Sequence, residues 1–186
     1  MGTSALFEGC VFLGLSVDDF IARPDGDLSW LVRRGEAAGD AGFTPFMESV
    51  DALLMGRGSY EAIADEDEWP YLGRPVHVLS GTLPADADAR ITVHRDVAGA
   101  VDALTGAGHR RVYVDGGHTT RTFLEAGLIT EMTLSRVPVL IGRGISLFGP
   151  LPADIDLEHV RTEVLAGGMV QTTYRVLPNA DGTRNL

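Results

Sequence analysis

The chain has 186 residues, of which 45% are hydrophobic and 22% are charged, and its 15 basic residues, all arginines, against 26 acidic residues give a net charge of −11. The hydrophobic fraction excludes an intrinsically disordered chain. The acidic excess argues against nucleic acid or an anionic membrane surface as a partner, because both are bound through basic patches. A chain of this length can bury a sizeable core, and we expect one domain over residues 1–186 with its core at about 10–176.

The single cysteine, Cys10, lies in an apolar run and has no second cysteine with which to form an intrachain disulfide. We therefore expect a buried thiol and a reducing compartment. The first basic residue is Arg23, and no apolar run approaches the ~18 residues of a membrane span. The sequence predicts a cytoplasmic protein with frayed ends at residues 1–8 and 179–186.

Short apolar runs alternate with segments of helical period, which is typical of an α/β sheet. The first predicted strands are Cys10–Val17, Asp51–Met55, Pro75–Ser80, Ile91–Val93 and Arg111–Asp115. Several are continuously apolar, as expected of strands covered on both faces. Three helices are predicted. The first begins at a Thr44 N-cap ahead of Pro45, the second runs from Asp96 to Gly106, and the third runs from about Thr119 to Ala126 with Gly127 behind it.

The last quarter of the chain is β-rich. Ile129–Ile141 forms one long β-like run, and Leu157–Leu165 and Met169–Leu177 flank the turn residues Ala166-Gly167-Gly168. This pattern predicts a C-terminal antiparallel hairpin. The whole is then a mostly parallel sheet, flanked by helices, with an antiparallel edge.

Two predicted strands run directly into glycines and then into a helical start. We call residues 56–59 the first glycine turn and residues 116–120 the second glycine turn. Free N–H groups in the first turn of a helix bind phosphate, and glycines let the backbone approach it. Two such turns at the carboxyl ends of strands predict an extended phosphate-containing ligand. The Gly-x-Gly-x-x-Gly fingerprint and the Gly-Lys-Ser/Thr phosphate loop are absent, which excludes the Rossmann and nucleoside-triphosphatase interpretations.

An ordered set of motifs runs through the chain. These are Ser16-Val17-Asp18-Asp19-Phe20-Ile21-Ala22, Asp27-Leu28-Ser29-Trp30, Met55-Gly56-Arg57-Gly58-Ser59-Tyr60-Glu61, Val78-Leu79-Ser80, Asp115-Gly116-Gly117 and Pro138-Val139-Leu140-Ile141-Gly142-Arg143-Gly144. The set resembles the dihydrofolate reductase superfamily. More narrowly, it resembles the reductase-domain branch related to the C-terminal domain of the bifunctional riboflavin biosynthesis deaminase/reductase.

The resemblance implies a three-layer α-β-α fold around a mixed, mostly parallel eight-stranded sheet that binds NADPH across the carboxyl ends of its strands. It assigns the cofactor phosphates to Gly56, Arg57, Gly58 and Ser59, the adenosine 2′-phosphate to Ser80 and Gly81, the pyrophosphate to Gly116, Gly117, Thr119 and Thr120, and the nicotinamide to Ala22. The absence of lysine makes Arg57 the main candidate for discriminating NADPH from NADH.

The substrate side departs from both known branches. Folate reductases place a carboxylate a few residues after the loop tryptophan, where this chain has Gly35. Our candidates for the catalytic acid are therefore Asp27 and Glu36, with Trp30 and Ser135 as substrate-binding residues. The Asp-Asp-Pro segment of the riboflavin-pathway enzymes is replaced by the acidic residues 65–70, and the zinc-deaminase motif is missing. We expect the acceptor to be neither folate nor the pyrimidine of that pathway.

These observations predict an NADPH-dependent reductase that transfers hydride to a small planar heterocycle. Two alternatives remain: a nucleotide-binding regulatory protein without turnover, and a stand-alone ribosylaminopyrimidine reductase. The histidines at 77, 94, 109 and 159 show no ligand spacing, so no metal site is expected. Strand edges and apolar terminal segments predict a homodimer.

Overall fold

The computed structural model describes residues 7–178, in which helices pack on a central sheet. The strands are β1 (Glu8–Ser16), β2 (Phe20–Ala22), β3 (Ala52–Gly56), β4 (Val76–Leu79), β5 (Ile91–His94), β6 (Arg111–Asp115), β7 (Ile129–Val137), β8 (Ile145–Ser146), β9 (Leu157–Val164) and β10 (Val170–Val176). The helices are α1 (Ser29–Gly35), α2 (Phe43–Ser49), α3 (Arg57–Glu61), α4 (Val97–Gly106) and α5 (Gly117–Glu125). Two short 3₁₀ turns cover 36–38 and 166–168.

The main sheet has eight strands in the order β5-β4-β3-β6-β1-β7-β10-β9. Neighbours from β5 through β7 are parallel, whereas β10 is antiparallel to both β7 and β9. The predicted mixed, mostly parallel sheet and its C-terminal antiparallel hairpin are confirmed. Parallel strands present their carboxyl ends at one edge, so β3, β4 and β6 bring the loops behind them to the same side of the molecule.

Both faces of the sheet are covered. On one face α4 and α5 pack over a core that includes Leu54, Val114 and Leu134. On the other face α2 packs on a second core, and a third cluster around Trp30 and Met169 lies under α1. The three-layer arrangement that the resemblance implies is therefore confirmed.

Two of the predicted helix ends are confirmed. Asp96 caps α4 by accepting a hydrogen bond from the Gly99 N–H at 2.8 Å, and the helix ends at Gly106. Gly127, with φ of 67°, follows α5 in the left-handed conformation that ends many helices.

The predicted Thr44 N-cap is wrong. Helix α2 begins one residue earlier, at Phe43, and the Asp40 carboxylate accepts hydrogen bonds from the Thr44 N–H at 3.0 Å and from its hydroxyl at 2.7 Å. The Thr44 hydroxyl therefore donates to Asp40 instead of capping the helix, and a carboxylate four residues upstream binds an N–H of the first turn. The α5 start also differs, at Gly117 instead of Thr119.

Three further elements differ from the sequence-based expectation. Helix α1 and the small β2–β8 pair were not predicted from the sequence. Strand β7 ends at Val137 because the chain turns at Pro138, where the Val139 N–H donates to the Val137 carbonyl. The expectation of frayed ends is wrong for Phe7, which is 1% exposed, and for Glu8, which begins β1. Its other residues, 1–6 and 179–186, lie outside the described residues. Within residues 7–178, no helix has the length and apolar character that crossing a membrane requires.

Candidate functional site

The two glycine turns lie side by side at the carboxyl ends of β3 and β6, which pair in parallel. A Cβ atom on Gly56 would stand 2.8 Å from Oγ1 of Thr119, and one on Gly116 would stand 2.6 Å from Oγ of Ser59. Each turn therefore packs against the first residues of the helix that follows the other turn. Gly116 also has φ of 88°, a conformation that side chains disfavour. Only glycine fits both positions without rearrangement.

The turns offer donors and open space for an anion. The first N–H groups of α3 and α5 have no intrahelical acceptor, as at any helix start. A Cβ atom added to Gly58 or Gly81 would meet no atom within 4 Å, so the space beside both backbones is open. The described geometry thus fits the phosphate groups of a dinucleotide.

The two threonines of the second turn are less available than the sequence suggests. Both side chains are buried, and the N–H of Thr120 already donates to the Gly116 carbonyl. The buried Oγ1 of Thr120 has no hydrogen-bond partner within residues 7–178. Of the two residues, only the N–H of Thr119 remains as a donor that a helix start leaves free.

Arg57 connects the first glycine turn to the loop behind β4. Its guanidinium donates to Glu61 at 2.6 Å and to the hydroxyl of Thr82 at 2.9 Å. In the same loop, the hydroxyl of Ser80 accepts the N–H groups of Thr82 and Leu83, which fixes the turn that contains Gly81. The structure therefore brings together the predicted residues Arg57, Ser80 and Gly81.

The segment that contains Ala22 lies against the second glycine turn. A Cβ atom on Gly117 would stand 3.0 Å from Cδ1 of Ile21 and 2.9 Å from the Ser146 carbonyl oxygen. Strand β2 therefore approaches the start of α5 closely, together with its partner β8. Arg121 in α5 donates to the same Ser146 carbonyl and ties β8 to that helix.

A cleft of about 370 Å³ opens between α1, the residues after it and the sheet. It is lined by Phe12, Gly14, Leu31, Val32, Gly35, Glu36, Gly39, Ala41, Ser135 and Met169. Two of the predicted substrate-side residues, Glu36 and Ser135, therefore meet in one cleft. Glu36 is exposed, whereas Ser135 is only 5% exposed.

The model of the RibD C-terminal domain family matches residues 9–171. The chain belongs to this family. A curated relative, the uncharacterized protein YwjB of Bacillus subtilis, is 29% identical over 167 residues, which cover 88% of this chain and 95% of that protein. The fold is that of a riboflavin-biosynthesis-type reductase domain.

Two solved structures extend the likeness. The "Putative riboflavin biosynthesis protein" from Shewanella sp. PV-4 is 34% identical with a TM-score of 0.83, covering 92% of this chain and 99% of that chain. The Thermotoga maritima diaminohydroxyphosphoribosylaminopyrimidine deaminase/5-amino-6-(5-phosphoribosylamino)uracil reductase shares the fold at 12% identity and a TM-score of 0.66. The match covers 92% of this chain and 57% of that larger one.

Two predicted residues of this RibD-type domain do not line the cleft. The carboxylate of Asp27 accepts hydrogen bonds from the N–H and the hydroxyl of Ser29, at 3.1 and 2.8 Å. These bonds lower the pKa of Asp27, the Ser29 hydroxyl most strongly. Trp30 is 2% exposed and packs with Val137 and Met169, and its indole N–H has no partner within the described residues. Asp27 thus organises the start of α1, and Trp30 supports the cleft from behind.

Sequence reasoning did not single out Asp115, the last residue of β6 in this RibD-type domain, as a candidate functional residue. The Tyr113 hydroxyl lies 3.1 Å from the Asp115 carboxyl and 3.0 Å from the Phe12 carbonyl oxygen. Desolvation raises the pKa of Asp115, against hydrogen bonds from Ser59, Tyr113 and Gly116 that lower it. Because Tyr113 has one proton, it can donate to only one of the Asp115 and Phe12 oxygen atoms at a time. This network joins the cleft, through Phe12, to the second glycine turn. The carboxylate immediately before a glycine pair was the available signal.

Proposed function

We propose that the chain is an NADPH-dependent reductase that transfers hydride to a small planar heterocycle. The observation that supports this most directly is the reciprocal packing of the two glycine turns, Gly56 on Thr119 and Gly116 on Ser59. It sets two helix starts side by side, so that one diphosphate can contact both. The family model is consistent with a reductase role.

Each part of the site has a distinct task in this reaction. The glycine turns bind the cofactor phosphates through backbone N–H groups, and Arg57 at the end of β3 attracts the adenosine 2′-phosphate. The segment 20–22 forms one wall for the nicotinamide. The bound cofactor supplies the hydride, and the apolar walls of the cleft hold the acceptor.

The acceptor also needs a proton after hydride transfer. Among the residues that line the cleft, Glu36 is the ionisable one, and it lies at the solvent-exposed rim. We assign to Glu36 the transfer of a proton from solvent into the cleft, and to Ser135 the orientation of the acceptor. Asp27 remains a candidate from its sequence position, although its carboxylate is engaged by Ser29.

Calorimetric titration with NADPH and NADH tests the cofactor assignment. We expect Arg57→Gln to weaken NADPH binding about tenfold and NADH binding little, because one charged hydrogen bond to the 2′-phosphate is lost. Arg110→Gln is the matched control, because Arg110 is exposed and lies just before β6, at the end of that strand away from the glycine turns. Absence of NADPH binding by the wild-type protein at millimolar cofactor would contradict the proposal.

One observation favours a second candidate, a nucleotide-binding regulatory protein without turnover. The acid in the cleft is exposed and the other predicted acid faces Ser29, so no buried carboxyl within the described residues lines the cleft. Cofactor binding without NADPH oxidation across a panel of pterins, pyrimidines and quinoid compounds would favour that candidate. Turnover of any one of them would exclude it, and turnover of a ribosylaminopyrimidine would identify a stand-alone reductase of that substrate.

A further inference from the structure

The charges around the cleft do not suit a phosphate group. Among its ten lining residues, Glu36 is the only charged one. The neighbouring Arg34 does not line the cleft, and its guanidinium donates to the Trp30 carbonyl at 3.2 Å. A phosphate in the cleft would therefore lose water and meet a carboxylate without a cation to offset either cost.

The backbone around the cleft is also poorly suited to bind phosphate. The cleft is lined by Leu31, Val32 and Gly35 of α1 and by Glu36, which begins the 3₁₀ turn behind it. The N–H groups of Leu31 and Val32 already donate to the Leu28 carbonyl. The ends of helical turns expose carbonyl oxygens, whereas phosphate is bound by the N–H groups of helix starts. Within residues 7–178, neither a cationic side chain nor a free N–H group of a helix start, the two usual phosphate ligands, lines the cleft.

The walls of the cleft are mostly apolar. Leu31 lies over Gly14, where its Cδ atoms stand 2.6 and 2.9 Å from the position of an added Cβ. Phe12 and Met169 supply further apolar surface. A bicyclic ring fits a cleft of about 370 Å³.

One polar group in this apolar wall has a defined direction. The side-chain amide nitrogen of Gln171 lies 2.9 Å from the Ala41 carbonyl oxygen and 2.9 Å from Oγ of Ser135. Because the carbonyl can only accept, the amide must present its NH₂ group there, and Ser135 must therefore accept from it. The hydroxyl proton of Ser135 has no acceptor within residues 7–178, and Ser135 lines the cleft. Gln171 thus makes Ser135 a hydrogen-bond donor toward the cleft.

We propose that the hydride acceptor is an uncharged planar heterocycle without a phosphate group, which presents a carbonyl oxygen or ring nitrogen to the hydroxyl of Ser135. The inference rests on the proposed reductase function and names the substrate class of its cleft. It separates this chain from the Thermotoga maritima reductase, whose name gives a substrate with a phosphoribosyl group.

A matched ligand pair tests the inference. Calorimetry in saturating NADPH compares 6-hydroxymethylpterin with its phosphate monoester, which differ only in the anion. We expect the neutral pterin to bind at least about ten times more tightly, because the ester brings a dianion next to Glu36. Glu36→Gln removes that repulsion and should reduce the ratio of the two affinities about threefold, mainly by strengthening the binding of the ester.

The Ser135 donor is tested in the same assay. Ser135→Ala should weaken the neutral pterin about tenfold, the usual effect of losing one buried hydrogen bond. Thr133→Val is the matched control, since Thr133 lies two residues earlier on β7 and bonds the Thr173 hydroxyl instead of lining the cleft. It should leave the affinity unchanged.

The outcomes distinguish an error in the substrate class from an error in the cofactor assignment. If NADPH binds and the ester binds as well as the neutral pterin, or neither pterin binds, the substrate class is wrong while the cofactor assignment stands. Equal losses of affinity for the neutral pterin in Ser135→Ala and Thr133→Val would refute the donor role of Ser135. If NADPH itself does not bind, the proposed function fails first.

Discussion

At the scale of single residues, Asp27 and Glu36 are both acidic and lie close to Trp30 in the sequence, but the fold gives them different surroundings. Glu36 lines the cleft, and Asp27 is bonded to Ser29 at the start of α1. We expect Glu36→Gln to lower kcat about tenfold, within the range of lost proton transfer. Asp27→Asn should leave kcat nearly unchanged, because an amide oxygen still accepts from Ser29. Steady-state kinetics with NADPH checks this, and a large loss of kcat in Asp27→Asn alone would reverse the assignment.

Three histidines that are far apart in the sequence meet beneath α4. Nδ1 of His77 lies 2.8 Å from Nε2 of His94, and the ring of His109 stands 6.0 Å from that of His77, centroid to centroid. His109 also lies 3.6 Å from Asp51. Desolvation, followed by the two neighbouring histidines, lowers the pKa of His77 to about 4. Burial also lowers the pKa of His94, against the attraction of Asp96.

The His77 environment makes stability depend on pH. The unfolded chain takes up a proton at His77 near pH 6.5, whereas the folded protein resists it until about pH 4. The free energy of unfolding should therefore fall as the pH falls from about 6.5 to 4, by up to about 3 kcal/mol from this residue. His77→Leu should flatten that part of the profile, whereas His159→Gln, an exposed change on β9, should not. Urea unfolding at several pH values measures it, and parallel profiles for wild type and His77→Leu would contradict it.

At the scale of the elements, the glycine turns combine a folding role with a binding role. Gly116→Ala adds a side chain at φ of 88° and 2.6 Å from the Ser59 hydroxyl, so we expect about 2 kcal/mol of destabilisation. Ser59→Gly in that background should recover part of the stability because it removes the contact but not the backbone strain. Thermal unfolding measures both.

Gly58→Ala distinguishes the two roles of the turns. Its Cβ meets open space, so the variant should fold as the wild type does but bind NADPH several-fold more weakly, since the methyl group takes up room beside the phosphates. Unchanged NADPH affinity in Gly58→Ala would place the cofactor elsewhere.

The sheet and the glycine turns could be predicted from the sequence because their signals are local. Continuous apolar runs predict buried strands, and glycines between a strand and a helix predict turns such as Gly56 and Gly116. The short helix α1 and the Asp40 cap of α2 were missed because each depends on a few polar contacts that no periodicity shows. The His77–His94 contact and the Gln171–Ser135 bond join distant parts of the chain, and without a structure nothing in the residue spacing marks such pairs.

At the scale of the whole molecule, the sheet ends in an unprotected strand. All eight residues of β9 are exposed, and within residues 7–178 β9 pairs with β10 alone, so no described strand covers its other edge. Exposed edges of this kind form pairs with other strands. An antiparallel pair of two β9 strands centred on Thr162 would set Arg161 opposite Glu163 of a second copy and Val160 opposite its Val164. This complementarity supports the predicted homodimer.

We therefore expect a dimer through β9 that a charge reversal breaks and a second reversal restores. Arg161→Glu places two carboxylates opposite each other and should yield a monomer, and Arg161→Glu combined with Glu163→Arg should restore the dimer because the opposite charges face each other again. Val164→Glu should also give a monomer, whereas Leu72→Glu, at a residue that is 78% exposed against 75% for Val164, should not. Light scattering after size exclusion at micromolar concentration measures the mass. A wild-type monomer, or a dimer that survives both Arg161→Glu and Val164→Glu, would show that β9 is not the contact.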